Sequence, residues 1–247
     1  MLISHKNEFI HTRVAKNGSS TSQMILDCSG ILGPDDIVAG YKDNPRDGFV
    51  GEPRNVKTYT WDELHDITEY GIPEALYKQK LPAAGAHAYS GHFTPLEMVR
   101  AGCVTEDQLL SYDYFGFVRE PVDRWLSGYF FMRMLMGVTT PVRDHVDMLI
   151  QSGEMDIQVF FDRPQSSQFT YNGELIGTRY DYKNMISTLS DLVEKYGGTM
   201  PEIPHLKGSY RSAEFRGTSW IAPDSLEKLM DYLASDIAFY EDEVVHA

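Results

Sequence analysis

Apolar residues recur along this chain at two spacings, short β-type runs alternating with helical runs. Glu8–Val14 (EFIHTRV) reads as a short strand; a Gly/Ser-rich turn follows, and Thr21–Ile31 is an apolar-periodic helix. Residues 33–60, rich in Gly, Pro and Asp, look irregular. Trp61–Tyr70 is a candidate short helix and Ala84–Ser90 a candidate short strand. Thr94-Pro95-Leu96-Glu97 is a helix start: Thr caps, Pro takes the first helical position, Glu reaches back to the cap, and Gly102 is the stop. Tyr112–Val118 (YDYFGFV) predicts a buried strand. Pro121 opens a long helix with Val122, Trp125, Leu126, Tyr129, Phe130 and Met134 at core spacing. Gln158–Phe161 fits strand or helix. Leu175–Tyr180 predicts a strand and Met185–Tyr196 a helix. Pro223 opens a last helix with Leu226, Leu229, Leu233, Ile237 and Tyr240 on one face.

Strands alternating with helices predict an α/β fold, a central, mostly parallel sheet with helices on both faces. A length of 247 residues suffices for one large domain. No repeat or low-complexity segment divides it, so residues 1–247 read as a single domain.

Composition narrows the partners. Hydrophobic residues are 42% and charged residues 23%, both globular values. The net charge of −14 excludes non-specific nucleic-acid binding, which needs clustered Lys and Arg. It also repels a densely sulfated or carboxylated polymer unless a local basic groove overrides the global field. The start, MLISHKNEFIHTRV, has no signal-peptide core, and no stretch approaches the roughly 20 apolar residues of a membrane span. A soluble, cytoplasmic protein with no membrane partner is expected, and Met1 at the start favours it. The two cysteines, Cys28 and Cys103, read as buried free thiols of a reducing compartment, and no spacing suggests a metal site.

Two stretches carry anion chemistry. Val14-Ala15-Lys16-Asn17-Gly18-Ser19-Ser20-Thr21-Ser22 lies between a predicted strand and a predicted helix. A helix N-terminus presents unpaired N–H groups and partial positive charge. Gly18 permits close backbone approach, four hydroxyls add donors and Lys16 adds a point charge. This is not a Walker A loop, because Lys16 precedes the glycine. The plainer alternative is a Ser-capped helix with Ser20 and Gln23 as its capping box. In the second stretch, Phe117 to Tyr129, Arg119 ends the buried strand and Ser127 lies two turns into the next helix. Both can face the crevice at the strand ends, where open α/β sheets bind ligands. The plainer alternative pairs Arg119 with Glu120 or Asp123 and leaves Ser127 idle.

Together the two stretches resemble the sulfotransferase superfamily. That family carries a 5′-phosphosulfate loop of the form K-x-[GA]-[ST]-[ST]-[ST] after its first strand. About a hundred residues later comes a 3′-phosphate motif of the form R-[DE]-P-x-x-R-x-x-S-x-Y. The wording is most similar to the carbohydrate 2-O-sulfotransferase branch, whose helix continues S-x-Y-x-F-x-R, as Ser127 to Arg133 do here. Gly91-His92 stands where that branch carries its G-H base. The loop with Pro204, His205 and Ser209, and the final helix with Asp236, Phe239 and Tyr240, also look like the family. Some positions depart from it. Ala15 replaces the Pro that often precedes the loop lysine, and Tyr180-Asp181-Tyr182-Lys183-Asn184 stands in place of an F-E-N phrase. The membrane anchor and basic groove of Golgi members are absent, which points away from a glycosaminoglycan acceptor.

The resemblance implies a P-loop-like three-layer sandwich and transfer of a sulfuryl group from 3′-phosphoadenosine 5′-phosphosulfate (PAPS), leaving 3′-phosphoadenosine 5′-phosphate (PAP). The acceptor would be a hydroxyl of a carbohydrate or small molecule, with no metal required. It implies Lys16 and His92 as catalytic residues. Lys16, Asn17, Gly18, Ser19, Ser20, Thr21, Ser22, Arg119, Ser127, Tyr210 and Arg211 would hold the nucleotide. His87 competes with His92 as base, and Glu97 is the other candidate base, though its capping-box role explains it. Two alternatives stay open: an ATP-dependent phosphotransferase on a P-loop-like fold, and a non-catalytic nucleotide-binding protein on the same fold. Acceptor identity and oligomeric state leave no signal in the sequence.

Overall fold

The computed structural model describes residues 1–39, 54–57, 59–68, 91–155, 163–202 and 211–244. Strands β1 (Leu2–Ser4), β2 (Phe9–His11), β3 (Ile37–Val38) and β4 (Asp113–Val118) belong to one sheet. A separate hairpin of β5 (Thr170–Tyr171) and β6 (Glu174–Leu175) follows, and β7 (Thr178–Asp181) completes the main sheet in the order β3-β1-β2-β4-β7. β1 pairs antiparallel with β2 and β3, while β2–β4 and β4–β7 are parallel. Only β1 therefore runs against the other strands of this mostly parallel sheet. From β2 the chain returns to the sheet at β3, and from β4 at β7, on opposite sides. The carboxyl ends of β2 and β4 thus flank a topological switch point.

The α-helices of the described residues are, in chain order, α1 (Ser19–Cys28), α2 (Trp61–Ile67), α3 (Pro95–Arg100), α4 (Glu106–Ser111), α5 (Pro121–Met136), α6 (Val142–Ser152), α7 (Met185–Lys195), α8 (Pro223–Tyr232) and α9 (Ala234–Glu243). Strand alternation sorts the core into two faces. Leu2, Phe9, Phe115 and Phe117 pack with Met24, Ile25 and Leu26 of α1 and Met185, Leu189 and Val193 of α7. Ile3, Ile10, Tyr114 and Val118 pack on the other face with Leu64, Met98, Leu109, Phe239 and Tyr240, from α2, α3, α4 and α9. A third cluster joins α5, α6 and α8 through Val122, Leu126, Val146, Ile150 and Leu229. Trp125 and Tyr129 stack within it, their ring centroids 5.8 Å apart. Among the described residues no helix is long and apolar enough to cross a membrane.

Three expectations need correction. Leu175–Tyr180 is not one strand: β6 ends at Leu175 and β7 begins at Thr178. Between them Gly177 takes φ 70°, and a Cβ there would lie 2.3 Å from the Tyr114 carbonyl oxygen, so the chain turns at the glycine. The last helix is two helices, because Leu233 leaves helical geometry at φ −92°, ψ 8°. The break lets α8 serve the third cluster and α9 the sheet face. Cys28 is exposed and Cys103 half-buried, because Cys28 ends α1 beyond its packed face. The expected strand Ala84–Ser90 and the ambiguous Gln158–Phe161 lie outside the described residues.

Candidate active site

β2 feeds the loop that opens α1. Gly18 is the N-cap, at φ 70°, with no side-chain cap, so Ser20 and Gln23 do not form a capping box. Gln23 is buried and donates to the Ala39 carbonyl at 3.3 Å. A Cβ at residue 18 would lie 2.7 Å from the Tyr182 ring and 2.8 Å from the Met185 sulfur, so only glycine fits. The first helical hydrogen bond runs from Ser22 N–H to Gly18 O at 3.0 Å. The N–H groups of Gly18, Ser19, Ser20 and Thr21 have no partner among the described residues, nor do the hydroxyls of Ser19, Ser20 and Thr21. No acidic side chain enters the first turn. Unpaired donors at the positive end of a helix suit an anion. The Lys16 ammonium lies 4.1 Å from the centroid of the Phe131 ring on α5.

Two loop side chains turn inward instead. Asn17, 1% exposed, donates to the Phe117 carbonyl at 2.8 Å and to Gln165 Oε1 at 2.6 Å. The Ser22 hydroxyl is buried 3.0 Å from His11 Nε2 and donates to the Ser19 carbonyl at 3.2 Å. Burial, with the Arg13 charge adding to it, pushes the His11 imidazole well below its ordinary pKa. It stays neutral at the foot of the loop.

β4 lies parallel beside β2, with Phe115 opposite His11, so Arg119 emerges next to the same loop. Its Nη1 donates to the Lys16 carbonyl at 2.9 Å, its Nε to Asp123 at 2.6 Å, and its guanidinium lies 4.5 Å from the Tyr182 ring centroid. Asp123 also receives Arg211 Nη1 at 2.5 Å. Partial burial opposes the Asp123 charge, but the two guanidinium groups outweigh it and hold the carboxyl below the ordinary range. Arg211 is fixed further by the carbonyls of Phe215 at 2.6 Å and Gly217 at 3.0 Å. Ser127 is half-buried, one turn beyond Asp123 on the same helix face, and its hydroxyl has no hydrogen bond among the described residues.

His92 precedes α3, whose Thr94–Glu97 capping box is present. Its Nδ1 lies 2.8 Å from the Arg13 carbonyl. A carbonyl only accepts, so the proton sits on Nδ1 and the lone pair on Nε2. Burial, then the Arg13 charge, pushes this imidazole well below its ordinary pKa, so it is neutral near pH 7. Arg13 lies three residues before Lys16, so this bond fastens His92 to the loop. Glu97 is fully buried and paired with Arg163 at 3.0 Å. His87 and Tyr210 lie outside the described residues.

Under the loop runs a polar network that sequence reasoning missed. Arg124, nearly buried, donates to the Ala15 carbonyl at 3.1 Å, to Asp236 at 3.0 Å and to the Arg163 carbonyl at 3.1 Å. Gln165, fully buried, accepts on Oε1 from Asn17 and from Arg119 N–H at 3.0 Å, and donates from Nε2 to the Arg119 carbonyl at 2.8 Å. Arg124 and Asp236 stand at positions the motif resemblance covers; nothing in the sequence marked Gln165. Among the described residues no three His, Cys, Asp or Glu side chains gather as metal ligands.

No protein-family model matches the chain, and no curated protein matches it significantly. A solved structure similar to it is the crystal structure of a sulfotransferase from Alicyclobacillus acidocaldarius, 15% identical, with a TM-score of 0.47 over 97% of this chain and 95% of that one. A likeness of that degree leaves the chemistry to the site residues themselves.

Proposed function

We propose that this protein is a sulfotransferase that takes PAPS as donor and a hydroxyl of a carbohydrate or small molecule as acceptor. The observation that carries the reading is the Arg119 Nη1 bond to the Lys16 carbonyl. It joins the two motifs of the resemblance, a hundred residues apart, at one mouth at the carboxyl ends of parallel strands. The residues there fit the group. A capless helix start, a glycine that no other residue can replace and three cationic side chains suit a ligand with two separate phosphate-type ends.

The N–H groups of Gly18 to Thr21, the hydroxyls of Ser19, Ser20 and Thr21, and Lys16 would hold the 5′-phosphosulfate. Arg119, Ser127 and Arg211 would hold the 3′-phosphate. The donor supplies a sulfuryl group already attached to a phosphate leaving group. Lys16 would offset charge gathering on that leaving oxygen, and the helix terminus would do so without moving. His92 Nε2 takes the acceptor hydroxyl proton as its oxygen bonds to sulfur and the sulfur–phosphate oxygen bond breaks. Asn17 and Ser22 support the loop from beneath with their side chains. The strand–loop–helix cradle on a layered sheet supports a P-loop-like reading of the fold. The net charge of −14 favours an acceptor that is not itself a polyanion.

Melting temperature with PAP, with 5′-AMP and with ATP plus Mg²⁺ tests the proposal. PAP at about a hundred times its Kd should stabilise the protein by about 2.7 kcal/mol, and AMP far less. Equal shifts with PAP and AMP, or a shift with ATP and Mg²⁺ alone, would overturn it.

A further inference from the structure

We infer that Gln165 is the positioning residue that fixes the span between the 5′- and 3′-phosphate subsites; the inference rests on the nucleotide reading above. Each subsite sits on a different loop, one after β2 and one after β4. A ligand with two anionic ends gains from both only if their separation matches its own. The second phosphate then binds at a high effective concentration, which is lost when the geometry slips.

Beside the Arg119 bond to the Lys16 carbonyl, the Gln165 carboxamide, from a third segment, touches both loops. Its oxygen takes Asn17 Nδ2–H at 2.6 Å and Arg119 N–H at 3.0 Å, and its nitrogen donates to the Arg119 carbonyl at 2.8 Å. Arg119 is thereby gripped at both ends of its main chain, as by a neighbouring strand. The clamp is anchored behind: Gln165 N–H donates to Asp236 at 2.7 Å, and Asp236 pairs with Arg124, which bonds the Ala15 carbonyl. Asn17 Nδ2 also donates to the Phe117 carbonyl at 2.8 Å, while its side-chain oxygen is buried without a hydrogen-bond partner among the described residues, so the bond to Gln165 is its link to the Arg119 loop itself. Glutamine is demanded chemically. Leucine there would strip the Gln165 bond from Asn17 Nδ2 and from the half-buried Arg119 N–H and carbonyl, and glutamate would turn an oxygen toward the Arg119 carbonyl.

Calorimetric titration of PAP and of 5′-AMP into wild type and Gln165→Leu tests this. 5′-AMP uses one subsite, PAP both. The preference for PAP over AMP should fall at least about tenfold in the variant, with AMP affinity changed by less than about threefold. A residue that merely supports the fold would weaken both nucleotides in proportion, and an unchanged preference would overturn the inference. Should circular dichroism show Gln165→Leu unfolded, Gln165→Glu decides by the same ratio, since it keeps the length and one acceptor but not the donor. A wild type that does not prefer PAP would sink the nucleotide reading, and this inference with it. A wild type that prefers PAP beside a variant that keeps the preference would sink this inference alone.

Discussion

Glu97 and Arg163 meet as a two-bond carboxylate–guanidinium pair, at 3.0 and 3.1 Å, with both side chains almost wholly buried. The same carboxylate receives the Thr94 N–H at 2.9 Å. One side chain therefore caps α3 and neutralises a cation 66 residues away in sequence, on the helix that follows His92, itself fixed to the loop of Lys16. These roles account for Glu97 structurally, and the proposed reading gives the proton chemistry to His92.

Glu97→Ala should therefore be severe. It takes the carboxylate partner from a buried guanidinium and removes a cap, at a cost of about 3–5 kcal/mol. Urea denaturation reads it. The double variant Glu97→Leu, Arg163→Met removes both charges and should recover much of the loss. A Glu97→Ala protein within about 1 kcal/mol of wild type would mean the pair contributes little.

His11 and His92 make the protein acid-sensitive in a defined window. Burial lowers both below their ordinary pKa of about 6.5. Above that pH both are neutral whether the chain is folded or not, and they add no pH dependence. Below it the unfolded chain takes up protons that the folded chain refuses. Stability then falls with falling pH, by up to about 1.4 kcal/mol per unit for each imidazole. The lowered carboxyls of Asp36, Asp113 and Asp123 lose their contribution only near and below pH 4, in the range of the unfolded carboxyl. Asp27 and Asp236, raised by burial, oppose the loss at its acid end. Urea midpoints should therefore drop between about pH 6.5 and 5. His11→Gln, which keeps a donor for Ser22 and cannot titrate, should flatten the slope. A flat wild-type profile over that range would contradict the neutral burial of these rings.

Much of this was legible because it is local. The Thr94–Glu97 box, Pro121 at a helix start and the two anion stretches each depend on neighbours a few residues apart, and each stands at the predicted element boundary. Arg119 paired with Asp123 was one of the alternatives that spacing allowed; its bond to the Lys16 carbonyl was not, because it joins loops of two strands. Gln165 was invisible for the same reason, since a buried amide between two loops has no periodicity. The split of Leu175–Tyr180 has a local signal in the sequence. Asn172-Gly173, at φ 50° and 85°, is the two-residue turn pair that announces a hairpin ending at Leu175.

The proposed reading gives Lys16 the leaving-group role. Lys16→Ala should lower kcat by about a hundredfold or more, the scale on which one such electrostatic donor acts. PAP affinity should fall less, because the N–H groups of Gly18 to Thr21 remain. Steady-state kinetics with any accepted hydroxyl substrate, beside PAP titration, separates the two effects. An unchanged kcat would remove Lys16 from the transition state.

The proposed reading makes His92 the base on grounds of tautomer and place. Its Nδ1 proton is committed to the Arg13 carbonyl, so Nε2 carries the lone pair, on a ring tied to the loop of Lys16. His92→Ala should cost about a hundred- to ten-thousand-fold in turnover while PAP still binds. His92→Gln can keep the bond to Arg13 but has no basic nitrogen, so it should be as inactive as alanine. The pH profile adds a sign. A base must be neutral to act, and this imidazole is lowered in the free protein, so the acid limb of kcat/KM for the nucleotide should lie below pH 6.5. An anionic nucleotide beside the ring favours the imidazolium, so the limb of kcat itself should lie at higher pH than that of kcat/KM. His87→Ala is the control: full activity there with none in His92→Ala assigns the base to His92, and the reverse pattern transfers the role to His87.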